Sequence, residues 1–498
     1  MTLVQNFPFF SIILSMFSGT ICSVLPRKAA KIVNLVMLTT VGLMSLALLL
    51  YLMATGESYT FMMGHFPAPW GNEIRAGILE AGMALFFSII MILSIVGGAH
   101  KLKEEVNSSR HNLYYVLLNL LMSSLLALVY TNDLFTAYVF VEINTIAACG
   151  LIMIRESGRT IVAAVRYMIM SLIGSGMLLL GICVIYDLTG HLLMSNIKEA
   201  VAGLIVNGNY PVPLLVAIAL MSVGLAIKSA LFPFHAWLPD AYGYSTVSSA
   251  AILSSLVSKG YIFLLIKVIY RVIGVEIFNG SEIIDIFFVF GLCGMIFGSI
   301  SAIRENDIRR MIAYSSVAQI GYIYMGIGMG TEAGMVAAIF HILTHAATKS
   351  LLFISAIGLT DVSGYNRRFM ELTGAGYRNK VAGVAFAVGS LSMVGVPLFA
   401  GFISKILFAQ SAVSLSNMKM LPVLIVLGIS TILNAIYFMK TVIRIYTPDP
   451  ESPYKSVSAS NMKIYAVVLV LFIILNVALG CMSDNIVELI THGIEMFA

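Results

Sequence analysis

Runs of about 20 apolar residues, separated by short polar connectors, recur from one end of this chain to the other. Such runs constrain the fold more than any motif does. In hydrocarbon every backbone N–H and C=O must be satisfied internally, and a helix does this within a single segment. Spans are expected at 7–24, 30–54, 75–98, 113–131, 133–154, 161–186, 213–232, 246–273, 284–303, 311–330, 333–358, 381–412, 421–446 and 464–482. That is an all-α polytopic membrane protein of about fourteen transmembrane helices. Composition agrees: of 498 residues, 59% are hydrophobic and only 11% charged, whereas soluble domains carry roughly 25% charged residues. No basic stretch precedes the first run, so it is read as a mature helix and not as a signal peptide.

Loop charges orient the spans. Arg27, Lys28 and Lys31 follow the first, Lys101, Lys103 and Arg110 the third, and Arg155 and Arg159 the fifth. Arg304, Arg309 and Arg310 follow the ninth, Arg367, Arg368, Arg378 and Lys380 the eleventh, and Lys455 and Lys463 the thirteenth. Even-numbered loops hold little: Lys198, Arg271, Lys419, and Arg75 at a helix edge. The positive-inside rule then puts both termini outside the cytoplasmic membrane. The +5 net charge follows from topology and implies no nucleic-acid partner. Cys22, Cys149, Cys183, Cys293 and Cys481 are far apart and lack ligand spacing, so no metal or iron–sulfur site is expected. There is no phosphate-binding glycine loop to support ATP-driven transport.

Ionisable residues inside the spans then carry the information, because a charge at membrane depth costs roughly 2.5–3.5 kcal/mol on insertion scales. Glu142 is mid-span in FVEIN, and Lys228 lies near one end of a run that continues as KSALFPFHAWLPDAY. Lys259 and Lys267 share the eighth span, Lys405 the twelfth. His341, His345 and Lys349 are spaced i, i+4 and i+8, on one helical face. Each has a bland alternative. Lys267 is expected to snorkel to the interface, and Lys228 in part as well; Glu142 could simply pair with a neighbouring helix, and His235 reads equally as a structural cap. As a set they favour a conducting axis, since carboxylates, lysines and histidines carry protons and buried charges normally face a wet path.

Prolines sit beside these charges. Pro233 and Pro239 bracket one break, near His235 and Asp240; Pro397, flanked by Gly395 and Gly401, makes another. Proline removes a backbone hydrogen bond, and paired interrupted helices in two halves point to an inverted repeat. The expected division is 1–112 for three N-terminal helices, 113–273 and 284–446 for two inverted five-helix repeats, and 447–498 for the last helix. Lys228 precedes its proline, whereas Lys405 follows its own, so the two are not equivalent in sequence.

The blocks FVEIN, KSALFPFHAWLPDAY, ENDIRRMIAYSSVAQIGY, FHILTHAATKSLLF and GVPLFAGFISK, spread over 113–444, resemble one family. It is the antiporter-like proton-translocating family of the large membrane subunits of respiratory complex I, the D and A subunits of Mrp Na+/H+ antiporters, and membrane-bound hydrogenases. The resemblance implies a coupled pair, Glu142 and Lys228, followed by Lys259, His341, His345 and Lys405. A protonated Lys228 beside an ionised Glu142 is stabilised; once the pair loosens, the lysine sheds its proton more readily. Some complex I members carry glutamate where this chain has Lys405, which argues against them. The chain also ends soon after span fourteen, without the long lateral helix of the largest complex I subunit. The first reading is a proton-translocating subunit most like the D-type Mrp antiporter subunit, with other membrane subunits as partners and protons, with or without Na+, as cargo. The alternative is the pump subunit of an NADH–quinone oxidoreductase or a hydrogenase complex. A scaffold without transport is a third class, which the intact charge set opposes. No cofactor or redox centre of its own is expected in any of them.

Overall fold

The computed structural model describes residues 3–63, 66, 71–208, 210–415, 418–449, 454, 456 and 462–497; the loop charge Lys455 lies outside them. Three helices come first: α1 (Phe7–Val24), α2 (Arg27–Thr55) and α3 (Ile78–Glu105). Between α2 and α3 runs an antiparallel hairpin, β1 (Tyr59–Met62) and β2 (Glu73–Ala76), with Tyr59 opposite Ala76. The third span therefore begins at Ile78, not at residue 75. Glu73 and Arg75 alternate with Ile74 and Ala76, the period of a strand. Arg75 is thus a strand residue, and it donates to the Met496 carbonyl at 2.7 Å.

The next helices are α4 (His111–Tyr130), α5 (Leu134–Met153) and α6 (Gly158–Thr189). Side-chain caps start them where the sequence offers Asp or Ser: Asp133 accepts from the Thr136 amide, and Ser157 forms a capping box with Thr160. A short α7 (Met194–Val206) occupies the connector after the sixth span and buries Ile197 and Val201. Then come α8 (Pro211–Ser229), α9 (Leu238–Tyr244), α10 (Val247–Ile252) and α11 (Ser258–Val268). Helices α10 and α11 join through a π turn, Leu253–Val257, into one fully buried rod.

The second half comprises α12 (Val275–Asn279), α13 (Glu282–Arg304), α14 (Ile308–Gly328), α15 (Glu332–Asp361), α16 (Ala375–Arg378), α17 (Lys380–Val394), α18 (Ala400–Val413) and α19 (Met420–Ile445). It is followed by α20 (Lys463–Cys481) and α21 (Ser483–Glu495). Among the described residues, 12 helical stretches are long and apolar enough to cross a membrane. Adding the less apolar α14, and counting α17 and α18 as one interrupted crossing, brings the total to the fourteen expected from the sequence. This is a multi-pass membrane protein.

Its two halves pack alike. Helix α4 lies on α5 as α13 lies on α14, α6 on α8 as α15 lies on α17 and α18, and α4 meets α11 as α13 meets α19. Small residues let the backbones close up: a Cβ on Gly321 of α14 would stand 2.6 Å from the Gly291 carbonyl of α13. Apolar side chains such as Ile169, Leu172 and Leu180 of α6 point outward, as lipid-facing residues do.

The arginine-rich loops gather on one face. There Lys101 pairs with Asp361 at 2.7 Å, Arg310 with Asp240 at 2.9 Å, and Arg309 approaches Glu105 at 3.7 Å. The hairpin, the end of α11 and helix α21 lie on the other.

Candidate functional site

Glu142 stands midway along α5, and Lys228 in the last turn of α8. Their Oε1 and Nζ atoms are 3.8 Å apart. Lys228 is 1% exposed, and its ammonium donates to Thr145 Oγ1 at 2.8 Å. It also lies 5.3 Å from the ring centroid of Tyr261, whose hydroxyl donates to Asn144 Oδ1 at 3.0 Å. So α5, α8 and α11 meet around one ammonium. The pairing that the resemblance implied is present in space.

Helix α8 stops just beyond Lys228 because Ala230 turns left-handed, with φ +64°, and Pro233 offers no N–H. Trp237 Nε1 donates to the Ile227 carbonyl at 3.4 Å and takes up part of what the break frees. Pro239 falls in the first turn of α9, where a missing N–H interrupts nothing. The two prolines bracket a break, as expected, but Pro233 interrupts the helix and Pro239 starts the next. His235 stacks on Phe232 at 5.3 Å within the short turn Phe234–Trp237. Asp240 is bound by Arg310 and, at 2.5 Å, by Arg166. None of the hydrogen bonds of His235 or Asp240 leads to the Lys228 pair.

Lys259 lies in the first turn of α11 and is fully buried. A π turn takes one extra residue and leaves a carbonyl without its usual partner. Here the Ser254 carbonyl accepts from Lys259 Nζ at 2.5 Å, and Ser258 Oγ lies at 3.1 Å. Serines then tie this rod to α15: Ser255 Oγ and Ser350 Oγ are 2.8 Å apart, and Ser255 donates to the Ala346 carbonyl at 2.9 Å. Sequence reasoning missed these serines and the π turn. The one available signal was the hydroxyl-rich stretch SSLVS beside a buried lysine.

On α15 the rings of His341 and His345 lie parallel, 6.0 Å between centroids and 2° between planes. His341 Nδ1 is 2.6 Å from Ser404 Oγ on α18. Lys349, one turn further, donates to the Ile312 carbonyl at 2.9 Å and to Ser315 Oγ. His345 is buried with neither ring nitrogen hydrogen-bonded, and His341 Nε2 is likewise unpartnered. Lys259 and Lys349 are within Coulombic reach of both imidazoles, and Lys405 of His341.

At the far end, α17 stops at Val394 and α18 resumes at Ala400, with Gly395 at φ +92° and Leu398 at φ +86° between them. Pro397 lies in this gap. The Val394 carbonyl, released by the break, accepts from Lys405 Nζ at 2.6 Å, and Thr431 Oγ1 accepts at 3.0 Å.

Lys267 differs from the sequence expectation. It is fully buried and does not snorkel. Its ammonium caps the end of α4, donating to the carbonyls of Leu128 at 3.2 Å, Val129 at 2.8 Å and Thr131. Helix ends leave such carbonyls unpaired, and a buried cation is stabilised among them. Among the described residues no group of three or more His, Cys, Asp or Glu is arranged to hold a metal ion.

The family described as NADH:quinone oxidoreductase/Mrp antiporter, transmembrane, matches residues 131–433. The chain belongs to that family. Among relatives, NADH-quinone oxidoreductase subunit N of Desulforudis audaxviator is 32% identical over 398 residues, 80% of this chain and 77% of that one. The putative antiporter subunit mnhD2 of Staphylococcus epidermidis is 29% identical over 423 residues, 83% and 82% of the two chains. In fold, the chain is similar to a chain of the archaeal membrane-bound sulfane sulfur reductase complex, with TM-score 0.88, 24% identity and coverage of 100% and 98%. It is similar also to one of the Mrp complex from Dietzia sp., with TM-score 0.87, 22% identity and the same coverage. The matched residues include Glu142, Lys228, Lys259, His341, His345, Lys349 and Lys405.

Proposed function

We propose that this chain is a proton-translocating subunit of a multisubunit membrane complex, most like the D-type subunit of a Mrp cation/proton antiporter. Glu142, Lys228, Lys259, Lys349, His345, His341 and Lys405 carry the protons, with the breaks at Pro233 and Pro397 supplying polar backbone. The observation that carries this reading is the Glu142–Lys228 pair at 3.8 Å, together with the stacked imidazoles of α15, where His341 Nε2 and both ring nitrogens of His345 have no hydrogen-bond partner. Buried polar atoms without partners are rare and costly, and they gather where a proton or water must be exchanged. Moving one charge across 100 mV is worth about 2.3 kcal/mol, the scale of making or loosening one buried pair.

The functional units are residues 113–273 and 284–446, with 1–112 and 447–498 flanking them. The complex sits in the cytoplasmic membrane with both termini of this chain outside and the arginine-rich face inside. A cysteine at Lys198, on α7, is then labelled from outside by a membrane-impermeant thiol reagent; labelling only from inside overturns the orientation. A second reading, pump subunit of an NADH–quinone oxidoreductase, is favoured by the 32% identity to the Desulforudis relative. Purifying the complex separates the two: small antiporter subunits support the first, iron–sulfur subunits the second. Proton flux in vesicles carrying that complex tests transport, and wild-type flux in Glu142→Gln overturns the assigned axis.

A further inference from the structure

The face opposite the arginine-rich loops holds a second set of buried charges that the axis does not use. Glu80 and Arg271, 1% and 2% exposed, pair at 2.6 Å between Oε1 and Nη2. Each keeps one buried polar atom without a hydrogen-bond partner: Glu80 Oε2 and Arg271 Nη1. Leaving such atoms unmatched costs about 1–3 kcal/mol apiece, so a pair kept for stability alone would not carry two. Gly77 makes room for the free oxygen, since a Cβ there would stand 2.8 Å from it.

Phe497 covers this pair. Its ring lies 3.9 Å under the Arg271 guanidinium, its carbonyl accepts from Arg271 Nε at 3.2 Å, and Arg75 holds the neighbouring Met496 carbonyl. Phe497 is 1% exposed and meets Phe263 at 5.7 Å and Tyr270 at 6.0 Å, edge to face. On the far side of Tyr270 is a cavity of about 230 Å³, lined also by Asn279, Thr331, Glu332 and Glu495. That is room for several waters with polar partners. Helix α11 continues the line inward: Lys259, Phe263 and Lys267 are spaced by four on one face, which places the two lysines about 12 Å apart.

We propose that Glu80 is a proton carrier in a second passage, running from this cavity past Phe497 and along α11 to Lys259, and that Phe497 closes its mouth. The proposal rests on the reading of Lys259 as part of the axis. The free Oε2 of Glu80 takes a proton from water on the cavity side and releases it to water on the α11 side, so the carboxylate alternates with a neutral acid. The guanidinium of Arg271 at the pair repels a metal cation in the passage, while a proton crosses bound to the carboxyl group, which makes the passage proton-selective.

The test uses the intact complex in vesicles without a driving reaction, so it does not depend on whether coupled transport works. Phe497→Ala is expected to raise passive proton leak several-fold with no rise in Na+ leak, and adding Glu80→Gln is expected to return it to background. A cysteine at Phe263, in a chain whose native cysteines are replaced, is expected to be shielded from an aqueous thiol reagent when Phe497 is present and to react in Phe497→Ala. Unchanged leak and a shielded cysteine in Phe497→Ala overturn the proposal. A leak that persists with Glu80→Gln overturns it as well, because the path would then be general damage around the ring.

Discussion

The two halves of the molecule solve the same problem, a lysine ammonium deep in hydrocarbon, with different partners. In the first half Lys228 stands before the helix break and faces a carboxylate, Glu142, with Thr145 completing its hydrogen bonding. In the second, Lys405 stands after the break and, among the described residues, pairs with no carboxylate. It takes the Val394 carbonyl that the break itself releases, together with Thr431. A charge held by an opposite charge changes state when the pair separates. A charge held by neutral dipoles changes state when the dipoles move or when another cation nears. On the proposed axis, the first half is switched by geometry and the second responds to the charge on His341.

The sharpest way to break this contrast is to remove the carboxylate. Glu142→Gln is expected to lower proton flux about a hundredfold, the scale of losing a positioned proton carrier, with the complex still assembled. Lys228→Ala is expected to match it, and the double variant to be no worse than either. Additive losses, measured as flux in reconstituted vesicles, would make the pair two independent contributors. Lys405→Met comes next, with a loss of about tenfold, worth about 1.4 kcal/mol of barrier. It is expected to add to the loss from Thr145→Val, since no shared partner joins the two sites; strong non-additivity would dissolve the distinction between the halves.

Pro397→Ala has a smaller effect. Restoring an N–H where Val394 and its neighbours lack one lets the helix compete with Lys405 for the Val394 carbonyl. Flux is expected to fall several-fold while hydrogen exchange at 394–401 slows. A continuous helix with unchanged flux would mean that the break does not serve the lysine. The smallest effect is expected at Asp240, whose partners Arg166 and Arg310 are partly exposed on the arginine-rich face. Asp240→Asn is expected to cost no more than about 1 kcal/mol of stability and to keep more than half the flux; a loss on the scale of Glu142→Gln would bring Asp240 into the axis.

Much of this was legible in the residues. Spans are readable because hydrocarbon permits so few backbone solutions, and the buried charges stand out because each is costly there. The break at Pro397 is readable because proline and flanking glycine act locally. What was not legible depends on neighbours distant in sequence. Lys267 looks like an interfacial lysine until the end of α4, more than 130 residues earlier, proves to supply its carbonyls. The hairpin before α3 hid beside an apolar run, and the insertion of Phe497 beneath Arg271 has no local signature. The partner of Lys405 escaped for a related reason: the sequence shows that a carbonyl is freed at the break but not which side chain comes back to it.

The π turn at Leu253–Val257 has a consequence for how this protein tolerates change. The turn exists because the rod carries one residue more than regular α-helical winding accommodates. Lys259 finds its carbonyl through that surplus, not through any particular side chain in the turn. Substitutions of similar size among those five residues can therefore leave the ammonium in place. Deleting any one of them restores regular winding and returns the Ser254 carbonyl to a backbone partner, so Lys259 loses the acceptor that the surplus supplies while the segments on either side keep their faces. At this position the information resides in a count of residues, and a single-residue deletion is a more drastic edit than several replacements.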